Sequence, residues 1–395
     1  MQTALIILAA GMGSRMQSDM PKILHPIGGV PMVAHVLRTG AALEPAHTIV
    51  VTGHGAEQVD AEIAKFDEDA VTVHQAEQLG TGHAVDQARE LLSVFDGLVL
   101  VLYGDTPFLK PETLQDMAAK ASTTDVVVLG FEPADPGRYG RLILNGDQLD
   151  RIVEFKDASD EERKITLCNG GLLACRASLL FDLISNLSNE NASGEYYLTD
   201  VVELARAKGH SAGVVTCDEA ETLGINSRGD LARAEAIFQA QARAAAMDNG
   251  VTLVSPDTVF FAADTHIGRD VLIEPNVVFG PGTTVETGAT IRAFSHIEGA
   301  HVSSGAVVGP YARLRPGAEL SNDARIGNFV EIKNATIGEG AKVNHLSYIG
   351  DADVGDRSNI GAGSVTCRWW KSRSNSGSGT HAGGATRPNP GTTRS

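Results

Sequence analysis

Between residue 4 and about residue 225, short apolar runs alternate with stretches whose apolar residues recur at helical spacing. ALIILAA, TIVVTG, VTVHQ, GLVLVLYGD and DVVVLGF have strand length, and PMVAHVLRTGAAL, TGHAVDQARELL and PETLQDMAAKA lie among them with helical patterns. Such alternation predicts parallel βαβ units with helices on both faces of a sheet. RLILNGDQLDRIVEF breaks the rhythm, because an Asn-Gly pair separates two alternating runs, as in a β-hairpin. The sheet is therefore expected to be mixed.

Residues 228–247 are alanine-rich, with Leu231, Ala234, Phe238 and Ala242 on one helical face, and Asn249 with Gly250 supply the stop. This predicts a connecting helix. Beyond it the period changes to six. Anchors stand at Ile267, Ile273, Phe279, Val285, Ile291 and Ile297, then at Val302, Val308, Leu314, Leu320, Ile326 and Ile332. With occasional five-residue steps the series runs on through Ile337, Val343, Ile349, Val354 and Ile360. A period of six suits a hexapeptide β-helix, in which each anchor points into a narrow core and small residues turn the corners. The expected division is a domain at 1–228, a linker helix at 229–249, a β-helix at 250–367 and a tail at 368–395. A chain of 395 residues has room for two cores.

Composition narrows the chemistry. A formal charge of -17 leaves no basic footprint for nucleic acid, so small substrates are expected. Cys168, Cys175, Cys217 and Cys367 are far apart with no C-x-x-C pair, which suits a reducing cytoplasm. The first apolar run has no basic segment before it and enters a glycine loop, so it reads as a strand rather than a leader. No run approaches the roughly 18 apolar residues of a membrane helix, and a soluble protein is expected.

The first strand delivers the chain into Gly11-Met12-Gly13-Ser14-Arg15-Met16, with Lys22 following in Pro21-Lys22. Glycines after a strand let backbone NH groups approach phosphate oxygens, and Arg15 and Lys22 can neutralise a pyrophosphate leaving group. Taken alone, an ordinary tight turn is the alternative, since the stricter phosphate-loop and dinucleotide fingerprints are not met. GLVLVLYGD ends at Asp105, at the carboxyl edge where an open α/β sheet binds ligands, and its carboxylate suits Mg²⁺. A helix cap before Pro107 is the alternative there. QAEQLGTG, residues 75 to 82, offers amides and backbone groups able to read a base edge, or a capped loop.

The motifs L-A-A-G-x-G-S-R-M with P-K, Q-A-E-Q-L-G-T-G-H-A, L-Y-G-D and G-E-Y-Y-L-T-D together resemble the bacterial bifunctional N-acetylglucosamine-1-phosphate uridylyltransferases and glucosamine-1-phosphate acetyltransferases. The resemblance extends over residues 4 to 367. It implies a Rossmann-like α/β nucleotidyltransferase domain, a linker helix and a left-handed parallel β-helix that forms a homotrimer. Leu8, Ala9, Ala10 and Gly11, with Arg15 and Lys22 as catalytic cations, match the nucleotide-phosphate site. Gln75, Gly80 and Thr81 match the uracil contacts, and Tyr103, Gly140, Glu154 and Asn169 match the sugar-phosphate pocket. Asp105 and Asn226 match the Mg²⁺ ligands. The implied reaction is attack by a phosphate oxygen of N-acetylglucosamine 1-phosphate on the α-phosphorus of UTP.

In the β-helix the resemblance implies acetyl transfer from acetyl-coenzyme A to glucosamine 1-phosphate. Arg315 and Lys333 match sugar-phosphate cations, His345 the general base, and Glu331 its orienting carboxylate. Tyr348, Asn359 and Ala362 match further binding positions. Histidine suits such a base because its ordinary pKa lies near neutrality, although a lone histidine among repeats is commonly a surface residue. After Cys367 the family pattern of further coils gives way to Arg368 and Trp369, so the coenzyme site is expected to be incomplete and acetyl transfer weak or absent. Residues 368–395, with five Lys or Arg and no acid, are expected to be disordered, with Trp369 and Trp370 partly covering the last coil. The linker is expected to leave the two domains separable. The alternatives are a nucleotidyltransferase for another sugar phosphate, and a non-catalytic trimeric scaffold that binds sugar nucleotides.

Overall fold

A computed structural model describes residues 1–366. The expectations for Cys367, for cover by Trp369 and Trp370, and for disorder in 368–395 lie outside the described residues. The N-terminal domain is built on strands β1 (Thr3–Ala9), β2 (His47–Thr52), β3 (Val71–His74), β4 (Leu98–Tyr103), β5 (Val126–Phe131), β6 (Arg141–Asn145), β7 (Gln148–Val153), β8 (Cys168–Arg176) and β9 (Ala212–Thr216). Their order across the sheet is β9-β5-β8-β4-β1-β2-β3, with the β6–β7 hairpin beside β8. All neighbours in that row are parallel except β8, which runs antiparallel to both β4 and β5. The mixed sheet and the Asn-Gly hairpin are as the sequence indicates.

Strand alternation splits the core into two layers. Leu5, Ile7 and Ala9 of β1 face a cluster that includes Val36 and Leu37 of helix α1 (Met32–Ala41) and Leu114 and Met117 of another helix, Pro111–Lys120. Ala4 and Ile6 face the opposite way, onto Ala84, Val85, Leu180, Val201 and Val202. Side chains of period two, buried on both sides, are what a parallel sheet sandwiched between helices requires. The helix expected over TGHAVDQARELL is shorter than its pattern: α-helix α2 spans Thr81–Asp86. Ala88 and Arg89 then bond only three residues back, to Val85 and Asp86. Arg89 donates to Asp86 at 2.7 Å and to the Phe181 carbonyl at 3.0 Å, which pins this tightened turn against the neighbouring helix.

The linker is helix α3 (Arg228–Asp248), opened by a capping box between Ser227 and Asp230. It joins the domains rather than merely spacing them. Gly28 donates its N–H to Glu235 at 2.8 Å and has no room for a Cβ beside Phe238. Gln239, 3 % exposed, exchanges hydrogen bonds of 2.7 and 2.9 Å with the backbone of Phe261. Ala263 also bonds to the Gly28 carbonyl at 2.8 Å. The separability expected from sequence is therefore qualified by a polar joint shared by loop 26–31, α3 and the first coil.

Residues 252–366 form a left-handed parallel β-helix of hexapeptide coils. Leu272 pairs with Thr290, Thr290 with Val307, Val307 with Arg325, Arg325 with Lys342 and Lys342 with Asn359, a rise of one coil every 17 or 18 residues. Every anchor from Ile273 to Ile349 is at most 2 % exposed, whereas Ile267, Val354 and Ile360 are only half-buried. Each fully buried Val, Ile or Leu contributes about 1.5–3 kcal/mol. Among the described residues no helix is long and apolar enough to cross a membrane.

Candidate functional site

The carboxyl ends of β1 and β4 meet at a cavity of about 490 Å³. Ten of the residues singled out from sequence line it: Leu8 to Gly11, Lys22, Gln75, Gly80, Thr81, Tyr103 and Asp105. A larger cavity, about 630 Å³, opens at the opposite, amino-terminal ends of β2 and β3 beside His47 and Val71. It holds none of these residues, and a parallel sheet binds ligands at its carboxyl edge.

The glycine loop is shaped by Lys22. Gly13 sits at φ 60, and a Cβ there would lie 2.6 Å from the Lys22 Cβ, so the loop closes onto the lysine stem. Lys22 Nζ donates to the Asp105 carboxylate and, at 3.1 Å, to Asn226 Oδ1. Asn226 is carried there by two backbone N–H donors, Ile225 N–H to the Asp105 carbonyl at 3.1 Å and its own N–H to the Asp230 carboxylate at 3.1 Å. The start of the linker helix thus sets one wall of the site.

Two oxygen donors from distant segments therefore converge on one cation, the Lys22 ammonium. That donor set fits Mg²⁺, which takes few protein oxygens and completes its shell with phosphate oxygens. Among the described residues no group of three or more His, Cys, Asp or Glu is arranged to hold a metal.

The base-side loop is clamped from outside. Gly80 adopts φ 112 and ψ 176, and a Cβ would meet the Tyr196 carbonyl at 2.6 Å and its nitrogen at 2.8 Å. Tyr196 N–H bonds to Leu79 O at 2.8 Å, Gly82 N–H to Tyr196 O at 2.8 Å, and Leu198 N–H to the Thr81 hydroxyl at 3.0 Å. The G-E-Y-Y-L-T-D motif is the backbone strip that holds the Q-A-E-Q-L-G-T-G loop open.

Tyr103 joins this cavity to the rest of the expected pocket. Its ring lies over Gly171, where a Cβ would approach to 3.0 Å. Burial, then the negative charges of Glu154 and Asp105, push its hydroxyl pKa up. Asn169 donates its N–H to the Gly140 carbonyl at 2.9 Å, and Glu154 Oε1 lies 3.6 Å from the Cβ position of Gly140. Gly140, Glu154 and Asn169 thus form one group, and burial raises the Glu154 pKa. Beside it, Asp200 is pushed up to about 6 by burial and by the carboxylates of Glu203, Glu154 and Asp157.

Arg15 is the exception in this domain. It is exposed and outside the cavity, with its charge felt at Asp230. The three-residue helical turn after Gly13 turns it away while burying Met16. Sequence reasoning missed four contributors. Gln78 lines the cavity and donates to the Ala10 carbonyl at 2.7 Å, and Glu195 lines the same cavity. Buried Arg141 donates to Tyr139, Gly137 and Pro136 carbonyls and so shapes the loop that carries Gly140. His83 contacts the amide of Gln75. The quoted motif already contained Gln78 and His83, but nothing in it marks which amide faces the ligand.

On the β-helix, Arg315 donates to Glu331 at 2.8 Å. Strand register sets Glu331 opposite Tyr348 and Asn328 opposite His345. The expected pairing of Glu331 with His345 is not formed within one chain: the carboxylate is held by Arg315, and exposed His345 has no ring hydrogen bond among the described residues. Asn359 accepts from Asn344 at 3.2 Å, and Asn359 and Ala362 are exposed. Lys333 is half-buried on the same run. Glu331 and Tyr348 border a shallow cavity of about 420 Å³ beside Tyr311, Phe329 and Leu346. Phe294, Tyr311 and Phe329 stack at 4.9 and 5.3 Å along one corner, each 47–57 % exposed and each at positive φ.

Known proteins align with both halves. Residues 5–171 match the family MobA-like NTP transferase domain, and residues 264–299 match the bacterial transferase hexapeptide (six repeats). The bifunctional protein GlmU of Ruegeria pomeroyi is 65 % identical over 369 residues, covering 93 % of this chain and 82 % of that protein. The bifunctional protein GlmU of Jannaschia sp. is 60 % identical over 366 residues, covering 93 % of this chain and 81 % of its own. A solved structure of apo UDP-glucose pyrophosphorylase superposes with a TM-score of 0.51 at 18 % identity, covering 61 % of this chain and 100 % of that one, which is a likeness of fold.

Proposed function

The chain belongs to the family of the bifunctional GlmU proteins, and on that premise we propose that its N-terminal domain transfers UMP from UTP to N-acetylglucosamine 1-phosphate, giving UDP-N-acetylglucosamine and pyrophosphate. The observation that carries this reading is the convergence of Lys22, Asp105 and Asn226 beside the glycine loop and Gln75, around one cavity.

The sugar phosphate lies along Tyr103, Gly140, Glu154 and Asn169, and its phosphate oxygen is directed at the α-phosphorus of the nucleotide. A new P–O bond forms there as the bond to the bridging oxygen breaks, and the electron pair leaves with pyrophosphate. Backbone NH groups of the glycine loop and the Lys22 ammonium take up the charge on the leaving group, and Arg15, exposed outside the cavity, is assigned to the same phosphates on the family resemblance alone. Asp105 and Asn226 would hold Mg²⁺, which when bound would further neutralise the phosphates. No covalent enzyme intermediate is required, so positioning and electrostatics carry the rate.

The family's second activity, acetyl transfer from acetyl-coenzyme A to glucosamine 1-phosphate, is assigned to the face bearing Arg315, Glu331, Lys333, His345, Tyr348 and Asn359. It is expected to be weak here, because Glu331 is engaged by Arg315 and the sequence leaves the family pattern after Cys367. The exposed aromatic column Phe294, Tyr311, Phe329 supports association of β-helices into a homotrimer. A cytoplasmic setting fits the unpaired, buried thiols of Cys168 and Cys175.

Product analysis tests the substrate assignment. Incubation with UTP, Mg²⁺ and an equimolar mixture of N-acetylglucosamine 1-phosphate and glucose 1-phosphate should yield UDP-N-acetylglucosamine as the main product by mass. Preferential formation of UDP-glucose would transfer the enzyme to another sugar phosphate.

A further inference from the structure

Gln75 is 4 % exposed, yet it lines the nucleotide cavity. Its amide nitrogen is fully committed. Nε2 lies 3.2 Å from the Gly80 carbonyl and 3.0 Å from His83 Nδ1, which uses both of its hydrogens. Among the described residues nothing donates to Oε1, and that oxygen is not among the buried polar atoms left without a partner. The free end of Gln75 is therefore a carbonyl oxygen facing the cavity.

That polarity is held from two sides, by the Gly80 carbonyl and by His83. A neutral imidazole can accept at one ring nitrogen only, and amide nitrogens are drawn against both: Gln75 at Nδ1 and Gln87 at Nε2, the latter at 3.2 Å. One of the two amides must present its oxygen to the ring. Turning Gln75, which is 4 % exposed, would press its oxygen against the Gly80 carbonyl. Gln87 is half-buried and borders solvent, so its amide can turn and swing clear of the His83 carbonyl that it now bonds at 3.0 Å. The ring is thus protonated on Nε2 and accepts at Nδ1.

We infer that His83, which does not itself line the cavity, is a positioning residue that locks the Gln75 amide with its oxygen toward the base, and so selects an imide N–H donor over a ring-nitrogen acceptor. A uracil ring offers N3–H to that oxygen, and a cytosine ring offers a lone pair at the same place. Reversing the amide reverses the preference. The inference rests on the uridylyl transfer proposed above and adds the origin of its base selectivity.

The test is kcat/KM for UTP and CTP with saturating N-acetylglucosamine 1-phosphate, for the full chain and for His83→Leu and His83→Asn. Leucine removes one of the two acceptors that hold Nε2 and leaves the Gly80 carbonyl as the only one, so the UTP-to-CTP ratio should fall by up to about tenfold, the worth of one hydrogen bond. Asparagine can return an oxygen near the Nδ1 position and should keep most of the ratio. Should His83→Leu fail to fold, His83→Gln, whose amide cannot reach that position, carries the same expectation. An unchanged ratio, or an equal loss with both nucleotides, overturns the inference. Calorimetric binding of UTP and CTP reads the same ratio without turnover. A wild-type chain that binds UTP selectively but releases no pyrophosphate would defeat the proposed activity, and an active wild type indifferent to His83 would defeat only this inference.

Discussion

Lys22 and Asp105, 83 residues apart in the chain, are joined at the carboxyl edge of the sheet, and the same ammonium reaches Asn226 at 3.1 Å. The three side chains come from the glycine loop, the end of β4 and the segment before the linker helix. Their meeting is the arrangement on which the proposed phosphate chemistry rests. Asp105→Ala should leave the fold intact by circular dichroism and thermal melting while lowering turnover by about 100-fold or more. Near-normal turnover at saturating Mg²⁺ would remove Asp105 from the catalytic set.

Gly80 carries the base-side loop against Tyr196. At φ 112 and ψ 176 it occupies backbone space that only glycine tolerates, and a methyl group would strike the Tyr196 backbone at 2.6 Å. Gly80→Ala should cost roughly 2–3 kcal/mol in urea unfolding and raise KM for UTP. An unchanged unfolding midpoint with normal KM would mean that the loop and the 195–198 strip are not coupled.

Much of this was legible in the chain itself. The apolar runs located the sheet, and the period of six located the β-helix anchors, because burial on both faces and burial every sixth residue leave direct marks in sequence. The contributions of Gln78, Glu195, Arg141 and His83 were not legible as such. Each acts through a contact across the fold, such as Gln78 to the Ala10 carbonyl, that no local pattern encodes. The pairing of Glu331 is similar: register across coils sets it beside Arg315 and Tyr348, and register depends on where each coil is shortened by a residue.

Asp200 gives the domain a defined pH response. Its folded pKa, about 6, lies above the ordinary value of 3.8 because burial and three neighbouring carboxylates oppose ionisation. The folded state therefore holds this proton more tightly than the unfolded state. Its contribution is complete below the unfolded value and is lost as pH rises through about 6. Asp200→Asn should match wild type near pH 4 and exceed it by about 1–2 kcal/mol at pH 7–8. Thermal melts of both proteins across that range check the sign, and a difference independent of pH would contradict it.

The aromatic corner of the β-helix predicts an assembly phenotype. Tyr311 and Phe329 are about half exposed and stacked on one another. On the proposed homotrimer, Tyr311→Ser with Phe329→Ser should shift the sedimentation mass from trimer toward monomer with little effect on uridylyl transfer, whose proposed site lies in the other domain. An unchanged mass would place the subunit contact elsewhere.

The central claim is best tested by measuring two products from the same purified chain with Mg²⁺: pyrophosphate from UTP plus N-acetylglucosamine 1-phosphate, and free coenzyme A from acetyl-coenzyme A plus glucosamine 1-phosphate. The account predicts rapid pyrophosphate release, abolished by Asp105→Ala, with little or no coenzyme A. A folded N-terminal domain that releases no pyrophosphate would contradict it, and coenzyme A release at a comparable rate would contradict the reading of the β-helix face.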